Sequence, residues 1–242
     1  MGIRDVVKAN MAALRANVYP GRGIVIGQTP DGKNLVQVYW IMGRSENSRN
    51  RIFVAEGDVV RTAPYDESKV KDPSLIIYNC VRTLGQAHIV SNGNQTDTIY
   101  DALAGSGTFE SALFTREFEP DDPNYTPRIS GVVGLDDDVH TYKLSILKTI
   151  DNNPAQGVRH FYNYATPIPG VGHFVATYSG DGNPLPAFDG EPQTVEIAGD
   201  IDAVLDCYWT ALNDDNKVAL LVKFIDPATG ETDVRIANKH ET

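Results

Sequence analysis

The stretch GRSENSRNRIF, residues 43–53, sets Arg44, Arg49 and Arg51 among Ser45, Asn47, Ser48 and Asn50, with almost nothing apolar between them. Planar guanidinium forks flanked by hydroxyls and amides suit the oxygens of a phosphate or carboxylate. The chain as a whole carries a net charge of −11, so an anionic ligand approaching it would need a local cationic patch. Other polar loops add chemistry of the same kind. YNC at 78–80 puts the Tyr78 phenol and the Asn79 amide in an otherwise apolar run. SNGNQTD at 91–97, with Asn92 and Asp97, leads into a predicted helix whose first turn offers free N–H groups to an anion. NYTPRI at 124–129 joins Asn124, Thr126 and Arg128 ahead of a strand. YSGDGNPLPAFDGEP at 178–192 spaces Asp181, Asp189 and Glu191 along a segment rich in Gly and Pro.

Each of these stretches also has an ordinary structural role. The arginines suit a solvated loop, and Arg128 a surface ion pair of little energetic weight. Asn92-Gly93 is a common turn pair, and GDG at 180–182 a tight turn. Tyr78 suits a core position. The usual catalytic templates are absent. The five histidines, at 88, 140, 160, 173 and 240, form no HExxH and no metal-ligand spacing, which argues against a metal site. No GxSxG elbow, GxGxxG or GxxxxGK[ST] occurs. Ser45, Cys80 and Thr96 have no base partner visible in sequence. A site in this chain would work by positioning and polarising with Arg, Asn, Tyr and backbone groups, without a cofactor.

These loops need a frame. Val6, Val7, Met11 and Leu14 make an amphipathic helix that Pro20-Gly21 ends. Strands follow at GIVIG and LVQVYWIM, the second apolar on both faces and therefore covered on both sides. Further strands are expected at SLIIYNCVRTL, AHIVSN, ISGVVG, TYKLSILKTI, VRHFYNYA, HFVATYSG and QTVEIAG. A helix is expected over DTIYDALAG, capped by Thr96 or a neighbour, with a second over residues 108–118. Asp200 caps IDAVLDCYWTAL, whose Ile201, Val204, Leu205, Tyr208 and Leu212 form a helical stripe. KVALLVKFID and DVRIAN close the chain as a hairpin around PATGE. Helices clustered between groups of strands indicate an α+β layered fold with much antiparallel sheet.

Composition sets the class. At 242 residues, with 41% hydrophobic and 22% charged content, the chain can bury the core of one domain, 1–242. An excess of 32 acidic over 21 basic residues argues against a nucleic-acid-binding face. No apolar run reaches membrane-spanning length, and the N-terminus lacks a signal-peptide core. Cys80 and Cys207 lie in apolar stretches and read as buried free thiols in a reducing cytoplasm.

Taken together, YPGRGIVIG, IMGRSENSRNRIF, YNCVRTLG, IVSNGNQTDTI, NYTPRISGVV and TYSGDGNPLPAFDGEP resemble the stand-alone IMP cyclohydrolases best known from archaea. The resemblance covers most of the chain. It implies a four-layer αββα sandwich like that of N-terminal nucleophile hydrolases, without their nucleophile, since YPGRG begins with no Cys, Ser or Thr. It also implies closure of 5-formamidoimidazole-4-carboxamide ribotide to IMP with loss of water. The substrate then supplies its own nucleophile, the carboxamide nitrogen.

On that basis Tyr78, Arg44 and Asn79 are the expected catalytic residues, with Tyr78 as proton donor or oxyanion partner in its neutral form. Ser45, Arg51, Asn92, Asp97, Asn124, Thr126, Arg128 and Asp181 are expected to bind substrate. Arg44, Arg51 and Arg128 would meet the phosphate or the formyl oxygen, and Ser45 and Thr126 would add hydroxyl donors. Asn79 and Asn92 would orient the carboxamide and the base ring. Asp97, Asp181 and Glu191 would anchor the arginines, while Arg49 would face solvent. The partner is a small-molecule ribonucleotide, with no nucleic acid and no membrane, and large apolar faces allow a homo-oligomer. Two rivals stand beside this reading. One is an amide hydrolase on the same fold, using Ser45 or Cys80. The other is a non-catalytic module that binds a phosphorylated metabolite.

Overall fold

A computed structural model of the chain describes residues 2–70 and 76–241. In chain order, α1 (Ile3–Ala16) precedes β1 (Gly23–Gln28) and β2 (Leu35–Met42). The short α2 (Glu46–Arg49) leads to β3 (Ile52–Glu56), β4 (Val59–Ala63), β5 (Asn79–Leu84) and β6 (Ala87–Ser91). Helices α3 (Gln95–Ala104) and α4 (Phe109–Phe114) come next, followed by β7 (Arg128–Gly134), β8 (Tyr142–Ile150) and β9 (Asn153–Tyr164). Then come β10 (Val171–Ala176), β11 (Gln193–Glu196), α5 (Ile201–Ala211), β12 (Lys217–Ile225) and β13 (Thr232–Asn238).

The strands form two antiparallel sheets. One has the order β11-β10-β1-β2-β12-β13, the other β3-β4-β5-β6-β7-β8-β9. All eight residues of β2 are buried, as its two-sided apolar pattern requires. Its Trp40 stacks on Tyr208 of α5, with ring centroids 5.9 Å apart, so that face meets helices. Alternation turns Tyr39 and Gln37 the other way. The Tyr39 hydroxyl lies 2.8 Å from that of Tyr78, and Gln37 Nε2 donates to the His88 carbonyl of the second sheet. The close approach of the sheets depends on Gly131, where an added Cβ would lie 2.5 Å from Ile26 Cδ1. Helices α1 and α5 pack on the six-stranded sheet and α3 on the seven-stranded one. The result is an α+β arrangement compatible with a sandwich.

Several expected boundaries move. The hairpin of β3 and β4 carries no strong alternation and was not expected; it turns at Gly57, whose φ is +61°. The expected strand at SLIIYNCVRTL begins only at Asn79. Ahead of it Thr62 N still donates to the Tyr78 carbonyl, while Thr62 Oγ1 accepts from Tyr78 N and donates to the Ile76 carbonyl. Ser74 and Leu75 lie outside the described residues. The helix expected over 108–118 stops at Phe114, and β10 ends at Ala176, which leaves Tyr178 in a loop. Cys80 is buried as expected, whereas Cys207 is only half-buried.

A pair of hydrogen bonds pins the sheets together at one edge. Asn238 Oδ1 accepts from Phe53 N at 2.8 Å, and its Nδ2 donates to the Phe53 carbonyl at 3.0 Å, clasping β13 to β3. Further inside, His88 is 1% exposed and neither ring nitrogen has a hydrogen-bond partner. Burial, with Lys223 adding, pushes its pKa down to about 4. The unfolded chain therefore binds a proton near pH 6.5 that the folded chain refuses until about pH 4. Stability should fall by about 2–3 kcal/mol as pH drops through that window. Denaturant melts of the protein and of His88→Leu at pH 7 and pH 4.5 check this; parallel behaviour of the two contradicts it.

Candidate active site

The antiparallel registers bring several strand ends to one edge of the two sheets. Gly23 pairs with both Trp40 and Ala176, which sets Arg22 next to Thr177: Arg22 N donates to Thr177 Oγ1, and Thr177 N to the Arg22 carbonyl. Gly21 makes this turn possible. Its φ is +73°, and a Cβ there would run into Thr177 Oγ1 and the Tyr178 ring. Across the gap, Tyr78 precedes β5, and Ser91 of β6 pairs with Ser130 of β7, placing Asn92 beside Arg128 and Ile129. The segment before β7 folds back, with Glu119 N donating to the Thr126 carbonyl.

Arg22, Arg51, Arg128, Glu119, Tyr39, Tyr78, Tyr178 and Thr126 form one cluster at this edge. All but Arg22, which is half-buried, are at most 8% exposed. Arg51 donates from Nε to the Ser48 carbonyl at 2.9 Å and from Nη2 to the Met42 carbonyl at 3.3 Å. Its Nη1, like Arg22 Nε, is buried without a partner. Arg128 Nη1 donates to Gln95 Oε1 at 2.8 Å and lies 3.9 Å from Glu119 Oε1. The Tyr178 hydroxyl meets Thr126 Oγ1 at 2.5 Å, and Thr126 Oγ1 also bonds Asp121.

Burial and charge compete throughout. Burial, and then the neighbouring Arg22, lower the Arg51 pKa. Burial acts the same way on Arg22, but Glu119 and the phenols of Tyr78, Tyr178 and Tyr39 outweigh it and raise its pKa. Glu119 is held above the ordinary carboxylate range by burial, against the pull of Arg22 and Arg128. Burial also raises Tyr78, although Arg51 and Arg22 oppose it, so its phenol is neutral near pH 7. Three guanidiniums and one buried carboxyl leave the cluster cationic. It can hold anionic oxygens, donate from a phenol and exchange a proton with a carboxyl.

Of the residues expected from sequence, Arg51, Tyr78, Thr126 and Arg128 come together here. Arg44 and Asp181 sit at the rim, where Arg44 Nη1 bonds Asp181 Oδ1 and the Gly182 carbonyl, and its guanidinium lies 5.0 Å over the Tyr19 ring. Tyr19 in turn stacks on Tyr178. Ser45 is exposed and caps α2, accepting from Ser48 N. The Asn92 amide is taken up by the Pro127 carbonyl, Ile129 N and Gln95. Asn124 Oδ1 accepts from Leu185 N and ties two loops together.

Asn79 and Asp97 stand apart from the cluster. Asn79 Nδ2 donates to Asp97 Oδ1 at 3.0 Å, and Asp97 pairs with Arg82, whose guanidinium lies 3.4 Å over the Tyr100 ring. Arg49 is exposed, and its guanidinium donates to the Gly43 carbonyl and Asn216 Oδ1. Glu191 acts on Tyr162 and not on an arginine of the cluster. Sequence reasoning assigned no role to Arg22, Glu119, Tyr39, Tyr178 or Gln95. For Arg22 the available signal was an arginine between two glycines at a strand mouth.

A cavity of about 510 Å³ shares Tyr178 and Asp181 with the rim. A second, of about 760 Å³, lies between Lys148, His160 and the Pro184–Asp189 turn. Either is large enough for a mononucleotide. Cys80 is no nucleophile: its thiol donates to the Val60 carbonyl, and burial pushes its pKa up. Cys80→Ala should keep kcat within about twofold of the parent; loss of turnover in a folded Cys80→Ala protein would contradict this. Among the described residues no group of three or more His, Cys, Asp or Glu is placed to hold a metal ion, and no helix is long and apolar enough to cross a membrane.

Fold and site together define an α+β protein that gathers guanidiniums, phenols and one buried carboxyl at one edge of its sheets. Residues 19–231 match the family described as IMP cyclohydrolase-like protein, and the chain belongs to that family. It is similar to the IMP cyclohydrolase of Methanococcus aeolicus, at 33% identity over 120 residues, 48% of this chain and 58% of that protein. The IMP cyclohydrolase of Haloquadratum walsbyi is 31% identical over 121 residues, 48% of this chain and 57% of that one. That of Methanopyrus kandleri is 35% identical over 117 residues, 47% and 57% respectively. The match thus spans somewhat more than half the length of these curated relatives.

Proposed function

We propose that the chain is a cyclohydrolase that closes 5-formamidoimidazole-4-carboxamide ribotide to IMP with release of water, or hydrolyses IMP in reverse. The observation that carries this reading is the pair of unmatched buried donors, Arg22 Nε and Arg51 Nη1, in one cluster with the Tyr78 hydroxyl and the Glu119 carboxyl. Unpaired buried N–H groups cost about 1–3 kcal/mol each, so they suit a ligand that brings oxygens. The ribotide has such oxygens at its formyl group, carboxamide and phosphate.

The carboxamide nitrogen attacks the formyl carbon of the same molecule, so the enzyme's main task is to hold both arms in contact. As the N–C bond forms, one amide proton passes to the Glu119 carboxylate. Arg22 and Arg51 stabilise the charge that grows on the formyl oxygen, and Tyr78 gives it a proton. The new hydroxyl then leaves as water with the proton that Glu119 returns, the formamide nitrogen gives its hydrogen to the Tyr78 phenolate, and both side chains regain their starting states. Arg128 and Arg44, nearer the rim, hold the phosphate, and Asp181 sets Arg44 in place. No cofactor takes part.

The face-to-face sheets with helices on their outer sides support a four-layer αββα sandwich of the N-terminal nucleophile hydrolase type, formed by one domain. A phosphorylated purine precursor as substrate supports a cytoplasmic location. Incubating the pure protein with the formyl ribotide and following ultraviolet absorbance tests the reading. Steady turnover to IMP is expected. Tight binding without turnover would mean a metabolite-binding module, and a covalent adduct in the mass spectrum would mean an amide hydrolase.

A further inference from the structure

Gln95 opens α3 with no exposure to solvent, and both ends of its amide are engaged. Their polarity is imposed from the backbone. Ile129 N can only donate, and it donates to Asn92 Oδ1 at 2.9 Å. Asn92 Nδ2 is spent on the Pro127 carbonyl, so Asn92 meets Gln95 with the same oxygen. Gln95 must therefore turn its Nε2 toward Asn92 Oδ1, at 2.9 Å, and toward the Ile129 carbonyl, at 3.3 Å. That leaves Oε1 as the one acceptor facing Arg128, whose Nη1 reaches it at 2.8 Å. Gly93 leaves room for this contact, because a Cβ there would lie 2.6 Å from both Arg128 Nη1 and Gln95 Oε1.

We infer that Gln95 is a positioning residue: through a chain of oriented amides running from the Ile129 backbone it fixes the rotamer of Arg128 while adding no charge of its own beside it. The inference rests on the assignment of Arg128 to the phosphate. A carboxylate at this place would keep an acceptor for Arg128 but would add a negative charge beside it and set an oxygen against Asn92 Oδ1 and the Ile129 carbonyl. An apolar side chain of similar size would leave the guanidinium unsteered. Glu119, at 3.9 Å, is too far to replace the lost hydrogen bond.

The test uses Gln95→Leu and Gln95→Glu, each alone and combined with Arg128→Ala. Both single variants should raise KM for the formyl ribotide about tenfold while kcat stays within about threefold. In the Arg128→Ala background the Gln95 changes should add less than twofold, because their route of action is gone. A full second effect in that background, or an unchanged KM in the single variants, overturns the inference. A readout independent of turnover is the Arg128 guanidinium signal in 1H–15N spectra, identified by its loss in Arg128→Lys. It should be sharp in the parent protein and averaged in Gln95→Leu. A signal that stays sharp refutes the positioning role even if the parent never closes the ribotide; should Gln95→Leu fail to fold, Gln95→Met, which keeps the length and drops the amide, takes its place in both measurements.

Discussion

Replacing Arg22 by alanine should lower kcat about a thousandfold and leave the protein folded. The fold survives because what Arg22 contributes to the β1 edge is main chain: its N–H and carbonyl bond Thr177 whatever the side chain. The guanidinium, by contrast, has a buried Nε with no protein partner, and it stands close enough to Arg51 to lower that residue's pKa. Two like charges held together work against stability unless a ligand uses them. Glu119 opposes that repulsion, since it favours the Arg22 charge and loses a counter-charge with it, so Arg22→Ala should leave thermal stability equal or slightly reduced. Loss of a donor aimed at a developing oxyanion typically costs a hundredfold to a thousandfold in rate, about 3–4 kcal/mol. Arg22→Lys, which keeps charge but loses the planar fork, should recover only part of it. An Arg22→Ala enzyme with kcat within threefold of the parent would remove Arg22 from the chemistry.

Glu119→Gln should cost about a hundredfold to a thousandfold in kcat and should also remove the acidic limb of the pH profile. Burial raises the Glu119 pKa above 4.5, and Arg22 and Arg128 only partly offset that. The proton acceptor is the carboxylate, so the parent's kcat should rise with pH through this raised value. Above it the group is ionised and the rate levels off. Glutamine cannot ionise, and the remaining activity should be flat over the same interval. A persistent acidic limb in Glu119→Gln would assign the proton transfer to another group.

Much of the frame was legible because it follows from periodicity. The stripe of α5 and its Asp200 cap appear as expected, with Asp200 Oδ1 accepting from Ala203 N, and β2 spans the expected residues. The β3–β4 hairpin escaped because its strands are five residues long and only partly buried, too short to display a pattern. The site was legible in part. Arg51, Tyr78, Thr126 and Arg128 were read from loops whose residue types advertise anion binding. Asn79 was grouped with Tyr78 through adjacency, but neighbours along extended chain point to opposite sides, and Asn79 turns toward α3. Glu119 sits in EFEPDD, which reads as a solvated acidic run. Its burial is produced by a fold-back onto Thr126 that no local pattern announces.

The two hydrogen bonds between Asn238 and Phe53 have a reach beyond the edge they close. Phe53 is two residues from Arg51, and the His240 ring also rests against the Arg49 carbonyl. The segment from Asn238 to His240 thus serves as an anchor line for the arginine loop. Trimming the chain ahead of Asn238 should weaken ligand affinity through the adjacent arginine loop together with the stability that the clasp between the sheets provides.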